Sequence, residues 1–128
     1  MSVKYIIAHE NREVMDIDYF VEQLKQKWTG VKIHFTSDPN ARPLQFEISD
    51  DFRVLGDFSG TGVSYSANGL SSIAQFALWY RSIVPIGWKL RFYDSGLYFD
   101  PMFITQETSE EQITAGFDIP FDISKYKK

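Results

Sequence analysis

Length, composition and charge set the first limits on this chain. It has 128 residues, of which 44% are hydrophobic and 23% charged, as is typical of one globular domain. It contains no cysteine, which excludes disulfides, thiolate nucleophiles and Cys-containing zinc sites and fits a reducing compartment. The net charge of −4 argues against nucleic acid as a partner, because that affinity depends on clustered Lys and Arg. The apolar stretch near the N-terminus is too short for a signal peptide or a membrane span, so we expect a cytoplasmic protein without membrane contact.

The first elements along the chain are a short strand and an amphipathic helix. Residues 3–8 form an apolar, partly β-branched run that predicts a strand. Asp16 can cap a helix that extends to residue 29, and Gly30 suits the left-handed residue just after its end. The apolar residues of this helix recur at the spacing of a single helical face: Ile17, Phe20, Val21, Leu24 and Trp28.

The middle of the chain alternates apolar and polar residues, as half-buried strands do. The alternation covers residues 31–36 and 44–49, and two further strands are expected at 52–58 and 63–66. The connections between these segments are rich in turn-forming residues and too short for crossover helices. The sequence therefore predicts an antiparallel meander.

A second helix follows the meander. Ser71 or Ser72 is expected to open it and Pro85 to end it. Its apolar arc exceeds half a turn, which predicts a central position in the fold. The residues on its main face are Ile73, Phe76, Ala77, Tyr80 and Val84.

The C-terminal third predicts a hairpin and a short helix. Residues 88–93 alternate as a strand does, and the turn at 94–96 is expected to lead into a second strand at 97–99. Thr108 and Glu111 match a capping box, which places a short helix at about residues 113–117.

The order of these elements predicts an α+β fold in a single domain over residues 1–128. We expect a mainly antiparallel sheet, built from the meander and the C-terminal hairpin, with two main helices packed on it and a short C-terminal helix. The tail is expected to fray at residues 124–128. The residues expected to be buried in the core are Phe20, Leu24, Phe76, Ala77, Tyr80, Leu90 and Phe92.

Neither histidine lies in a recognisable metal motif. His9-Glu10 begins like a zinc-protease motif, but position 13 is Glu and the segment follows a strand. His34 is predicted to point outward from its strand, where it is either a solvated side chain or a general base. We expect no metal site at either residue.

Three aspartates around one expected hairpin offer a possible cation site. Asp50, Asp51 and Asp57 could bind a hard cation, but Asp is also a common turn residue, and no loop with regular oxygen-ligand spacing is present. We therefore expect neither a metal nor a cofactor.

Arg81 lies inside the apolar arc of the second helix. An unpaired buried charge is costly, so its guanidinium needs a partner or must extend to solvent. Asp94 and Asp57 are the candidate carboxylates, and we predict a structural ion pair between Arg81 and Asp94. The alternative is an anion-binding arginine in an active site.

The C-terminal third is acidic. No Lys or Arg occurs from residue 92 to 124, so this segment produces a negative field. It is either a solvated acidic face or a surface that attracts a basic protein partner. The residues predicted to bind such a partner are Asp94, Asp100, Glu107, Glu110 and Glu111.

Three segments carry a resemblance to a known group of proteins. These are residues 76–85 (FALWYRSIVP), residues 90–94 (LRFYD) and residues 108–113 (TSEEQI). They resemble small bacterial immunity proteins of interbacterial, contact-dependent or polymorphic, toxin systems over residues 70–117. The resemblance implies a cytoplasmic protein that protects its producer by binding a cognate toxin domain, with no catalysis of its own.

The residues agree with this hypothesis only in what they lack, because the chain carries no recognisable catalytic motif. We therefore expect an immunity protein, monomeric or weakly dimeric, that neutralises a toxin domain by direct binding. The alternative is a small enzyme or a ligand-binding regulatory module with a cleft near Arg81 and His34. A converging pocket with shifted titratable groups would favour that alternative.

Overall fold

The computed structural model describes residues 4–36, 44–49, 53–120 and Ser124. The described part contains seven strands: β1 (Tyr5–His9), β2 (Lys32–Phe35), β3 (Leu44–Ser49), β4 (Arg53–Phe58), β5 (Gly62–Ala67), β6 (Leu90–Asp94) and β7 (Met102–Ile104). It also contains three helices: α1 (Ile17–Lys27), α2 (Leu70–Ile83) and α3 (Glu110–Gly116). The predicted α+β class and the meander β2 to β5 are confirmed.

All seven strands form one antiparallel sheet in the order β2-β3-β4-β5-β1-β6-β7. The first strand of the chain is therefore inserted into the middle of the sheet. Because β5 and β6 both pair antiparallel with β1, they run parallel to each other and need a crossover connection. Helix α2 provides this crossover, which explains why it lies over the centre of the sheet.

The two faces of the sheet differ because side chains alternate along each strand. The face beneath the helices carries the buried residues, among them Ile7, Phe46, Phe58 and Phe92. The other face carries polar cross-strand neighbours, such as Gln45 opposite Asp57 and Lys32 opposite Glu47. We call these the inner face and the outer face.

Aromatic side chains fill the space between the inner face and the helices. Phe20 of α1 stacks on Phe58 of β4, with ring centroids 4.0 Å apart and planes 6° from parallel. Phe76 of α2 lies 4.4 Å from the ring of Tyr65 and 5.7 Å from that of Phe46. All seven residues predicted to form the core are buried: Phe20, Leu24, Phe76, Ala77, Tyr80, Leu90 and Phe92.

Three of the five predicted helix ends differ from those observed, while the start of α1 and the end of α2 before Pro85 agree. The Asp16 side chain accepts a hydrogen bond from the Tyr19 amide and caps α1 as expected. Gly30, however, does not have a left-handed backbone, since α1 ends through an extended Trp28. Helix α2 begins at Leu70 after Gly69, without a side-chain cap.

The capping box of α3 lies one residue later than predicted. Ser109, rather than Thr108, accepts from the Gln112 amide, and the Gln112 side chain accepts from the Ser109 amide. Thr108 instead accepts from the Thr105 amide at 2.8 Å, so its hydroxyl closes the preceding turn. Two adjacent hydroxyl residues were both possible caps, and the turn selected between them.

The second strand of the C-terminal hairpin was predicted at residues 97–99, and this is wrong. Both carboxylate oxygens of Asp94 accept from the Tyr98 amide, and Leu97 has a left-handed backbone with φ of 52°. The chain therefore leaves the sheet after β6 and rejoins it only at β7, beyond Pro101. Phe99 instead forms an isolated bridge with Pro120.

Edge strand β2 was predicted to be half-buried, but most of it is exposed, with Phe35 57% exposed.

The predicted strand at 3–8 is present as β1, although residue 3 lies outside the described part of the chain. The turn at 37–43, Asp50 and Asp51 of the possible cation site, and the predicted fraying at 124–128, apart from Ser124, also fall outside it.

Phe76→Ala should lower the free energy of unfolding by about 3–5 kcal/mol, because a fully enclosed ring is replaced by a cavity. Denaturant melts measure this loss. Phe35→Ala is the matched control, since Phe35 is largely exposed and should cost less than about 1 kcal/mol. Equal losses for both variants would contradict the burial pattern.

Candidate functional site

A groove lies where the connection between α2 and β6 faces β7 and the loop that follows it. Its volume is about 450 Å³, and its lining includes Arg81, Ile86, Trp88, Phe103 and Glu107. We call it the α2–β7 groove. Ile86 stands between Pro85 and Gly87, just after the helix has ended, so no element covers its side chain.

Arg81 fixes one wall of this groove. Its Nη1 donates to the backbone carbonyls of Thr105, at 2.7 Å, and Thr108, at 2.6 Å. The Glu107 carboxylate accepts from the Thr105 hydroxyl at 3.1 Å within the same loop. One guanidinium therefore ties the C-terminal turn of α2 to the loop between β7 and α3.

The predicted ion pair between Arg81 and Asp94 is wrong. Arg81 satisfies its guanidinium with carbonyl oxygens, while Asp94 binds the Tyr98 amide through both carboxylate oxygens at 3.0 and 3.1 Å. Asp57, the other candidate, pairs with Lys4 at 3.3 Å on the outer face. Sequence spacing could not reveal this, because backbone carbonyls are available as acceptors at every position.

The five acids predicted to bind a partner do not form one surface. Asp94 is only 1% exposed, so its inclusion is wrong. Asp100 is half-buried, and its amide donates to the Ile119 carbonyl. Glu107 and Glu111 are exposed, and Glu110 is half-buried and accepts from the Ser71 hydroxyl at 3.4 Å.

Large apolar side chains are exposed at the groove. Ile86 is 82% exposed and Phe103 is 51% exposed. A second hollow, of about 450 Å³, adjoins the groove through the shared lining residues Val84 and Trp88. Its exposed side chains continue the apolar surface, and we call the whole set the apolar strip: Val14, Tyr19, Pro85, Ile86 and Phe103.

Sequence reasoning did not select the apolar strip, although one signal pointed to it. An isoleucine between Pro85 and Gly87 lies in a turn, where it has no helical or strand face to bury it. Phe103, an aromatic residue that could equally have belonged to the core, lies on the outer face of a three-residue edge strand opposite Arg91. Only the sheet register reveals that exposure.

The alternative cleft near Arg81 and His34 does not form. His34 is exposed on edge strand β2, whereas Arg81 holds the loop after β7 at the opposite edge. Six inter-strand spacings separate the two edges, roughly 29 Å along the sheet. His34 instead borders an open hollow of about 470 Å³ on the outer face, beside Lys32, Glu47 and Asp57.

His9 is enclosed rather than available to a ligand. Its Nδ1 lies 2.6 Å from the Glu13 carbonyl, which can only accept, so Nδ1 carries the proton and Nε2 accepts from the Tyr80 hydroxyl at 2.7 Å. Burial lowers the pKa of His9, opposed in part by the hydrogen bond to the Glu13 backbone and by the Glu13 charge. Burial also raises the pKa of Tyr80. This pair holds β1 to α2.

The described ranges contain no group of three or more His, Asp or Glu side chains arranged to hold a metal ion. Among the residues that the structure describes, no helix is long and apolar enough to cross a membrane. Comparisons of the chain with protein-family models, with curated proteins and with solved structures found no match.

Arg81→Met should lower the free energy of unfolding by about 1–2 kcal/mol, because two charge-assisted hydrogen bonds are lost at a partly exposed site. Arg53→Met is the matched control: it removes the same charge from an exposed position in β4 and should change stability by less than about 0.5 kcal/mol. Chemical denaturation compares the two. A loss no larger than the control's would contradict the proposed tie.

Stability should fall as pH drops below about 7 because of His9. The folded pKa of His9 is lowered, so below its ordinary value of 6.5 the unfolded chain binds a proton that the folded chain does not. The slope from this group is at most about 1.4 kcal/mol per pH unit. Melts between pH 7.5 and 5.5 should show a weaker pH dependence for His9→Gln than for the wild type, and an unchanged slope would contradict this assignment.

Proposed function

We propose that this protein is a cytoplasmic immunity protein that neutralises a toxin domain by binding it directly. The proposal joins the resemblance of residues 70–117 to such proteins with the exposed apolar strip. The strip is the observation that carries it, because isolated domains rarely leave several large apolar side chains together in solvent without a partner.

The geometry of the strip suits a protein partner. Interfaces take most of their affinity from a few apolar or aromatic anchors that are excluded from water. Phe103 and Ile86 stand beside a groove into which a partner's side chain can insert, and Arg81 keeps the groove wall in place. The loop after β7 is therefore already ordered before binding, so binding at the groove loses no further entropy in ordering it.

The charge around the groove supports a partner with a basic surface. Glu107 stands on its rim, and Glu111 follows on the exposed side of α3. Since Lys and Arg are absent from residues 92–124, nothing in this segment offsets their field. Lys89 also lines the groove and supplies one positive charge, so the acidic rim is limited to Glu107 in the loop and Glu111 on α3.

The titratable groups give less support to an enzyme. The described residues whose pKa is displaced are His9 and the tyrosines Tyr5, Tyr65 and Tyr80, and burial is the main cause for each. Tyr65 donates to the Ile73 carbonyl at 2.7 Å and Tyr80 bonds His9, so both hydroxyls are already engaged. The hydrogen bonds hold these side chains within the fold, and His9, which borders a hollow of about 660 Å³, is only 3% exposed.

The test of the apolar anchor uses the product of the neighbouring reading frame, co-expressed with this protein. Ile86→Glu should reduce rescue from toxicity and weaken binding at least tenfold, because a charge is introduced among the anchors. Leu55→Glu is the matched control, since Leu55 is 48% exposed on the outer face and should retain full rescue. Equal rescue by both variants would remove the groove from the interface, and no interaction at all would count against immunity.

The acidic rim should act mainly on the association rate. Glu107→Gln combined with Glu111→Gln should slow association with the same product and flatten its salt dependence, while dissociation changes less. Asp18→Asn combined with Glu22→Gln removes two exposed acids from α1 and should leave the association rate unchanged. Stopped-flow or biosensor kinetics at several salt concentrations provides the measurement. Identical salt dependence for the two double variants would exclude the rim from steering.

A further inference from the structure

A separate hollow lies on the outer face along β1 and β6, from the end of β1 to the turn after β6, and it plays no part in the proposed function. Its volume is about 660 Å³, the size of a small-molecule site. Its lining includes Glu10, Arg12, Arg91, Tyr93 and Leu97. These residues come from the end of β1, the turn that follows it, β6, and the turn after β6.

Two residues that line this hollow have an unfavourable backbone. Arg12 has φ of 59° and Leu97 has φ of 52°, and they are the non-glycine residues with positive φ in the described part of the chain. The left-handed region is costly for a side chain with a Cβ, and such residues concentrate at ligand sites. Both strained positions border the same hollow, although they are 85 positions apart in the sequence.

Two arginine side chains, Arg12 and Arg91, line this hollow, and they differ in whether they have an acidic partner. Arg12 is exposed, and its guanidinium makes no hydrogen bond or ion pair with the described residues. Arg91 donates to the Glu10 carboxylate at 2.9 Å and lies 5.6 Å above the Phe103 ring, with its side chain still 41% exposed. The lining therefore holds two guanidinium groups and one carboxylate, which leaves one positive charge in excess.

The remaining walls define the shape of a ligand. Leu97 and Pro101 are apolar and lie on the side formed by the turn after β6. Tyr93 contributes a half-buried phenol from the outer face of β6, and Ala8 forms the floor on β1. An anionic group beside the arginines, attached to a compact apolar body beside Leu97, would satisfy both sides.

We propose that this hollow binds a small organic anion, in which a carboxylate or phosphate group contacts Arg12 and Arg91 and an apolar ring packs against Leu97 and Pro101. Arginine suits this task because its planar guanidinium presents paired donors to either oxyanion. The exposed Arg12 is the principal anchor, and Arg91 is held in position by Glu10.

The test uses two probes and one neutral analogue, followed by amide chemical shifts on the labelled protein. Benzoate carries a carboxylate and phenyl phosphate a phosphate on the same ring, whereas benzamide is uncharged. Saturable shifts at residues of the hollow with either anion support the proposal, and the stronger probe identifies the oxyanion. No saturable shift with either anion, or equal affinity for benzamide, overturns it.

A pair of variants separates this site from general charge effects. Arg12→Gln should weaken the better anion at least tenfold, while Arg53→Gln, which removes the same charge from an exposed position in β4, should retain wild-type affinity. Equal affinity for Arg12→Gln and the wild type overturns the assignment.

Arg12→Gly tests whether the strained backbone serves binding. Glycine adopts positive φ without cost, so this variant should melt a few degrees higher than the wild type and lose the anion. Higher stability with lost binding is a result that a merely damaged fold would not give. Retained binding in Arg12→Gly overturns the proposal.

Discussion

The aromatic layer between the inner face of the sheet and the two main helices is the constraint on which the rest of the molecule depends. Phe20 stacks on Phe58, and Phe76 lies among the rings of Tyr65, Phe46 and Trp79. Rings of this size bury large areas and fit together only in a few relative orientations. Once these rings meet, the positions of α1 and α2 over the sheet are fixed, and a domain without cysteine has a full core.

Filling the inner face in this way determines where function can lie. Three polar side chains of the core are engaged there: Tyr65 and Tyr80 have fixed acceptors, and His9 bonds at both ring nitrogens. Hydrogen bonds between buried groups are strong, so these three side chains serve the fold. The proposed recognition surfaces lie instead near the ends of the strands and helices, where connections leave the aromatic layer.

Two such surfaces meet at the pair formed by Arg91 and Phe103, which are opposite each other in the register of β6 and β7. Phe103 contributes to the α2–β7 groove, while Arg91 contributes to the hollow at the end of β1. The guanidinium packs over the ring, so one cation–π contact forms part of the wall between an apolar surface and a cationic one. The two surfaces suit different chemistry: apolar anchors beside an acidic rim, and a small organic anion.

The sequence by itself determined the α+β class, the meander, the apolar faces of α1 and α2 and the core residues, because these depend on local periodicity. It did not determine that β1 lies between β5 and β6, since strand order is a matter of long-range pairing. The same reason explains the error at Arg81 and Asp94: Arg81 needed a polar partner, as the sequence indicated, but both side chains bind backbone groups supplied by loops. The exposure of Phe103 and the meeting of Arg12 with Leu97 at one hollow likewise required the tertiary structure, because only the sheet register brings distant residues to a common surface.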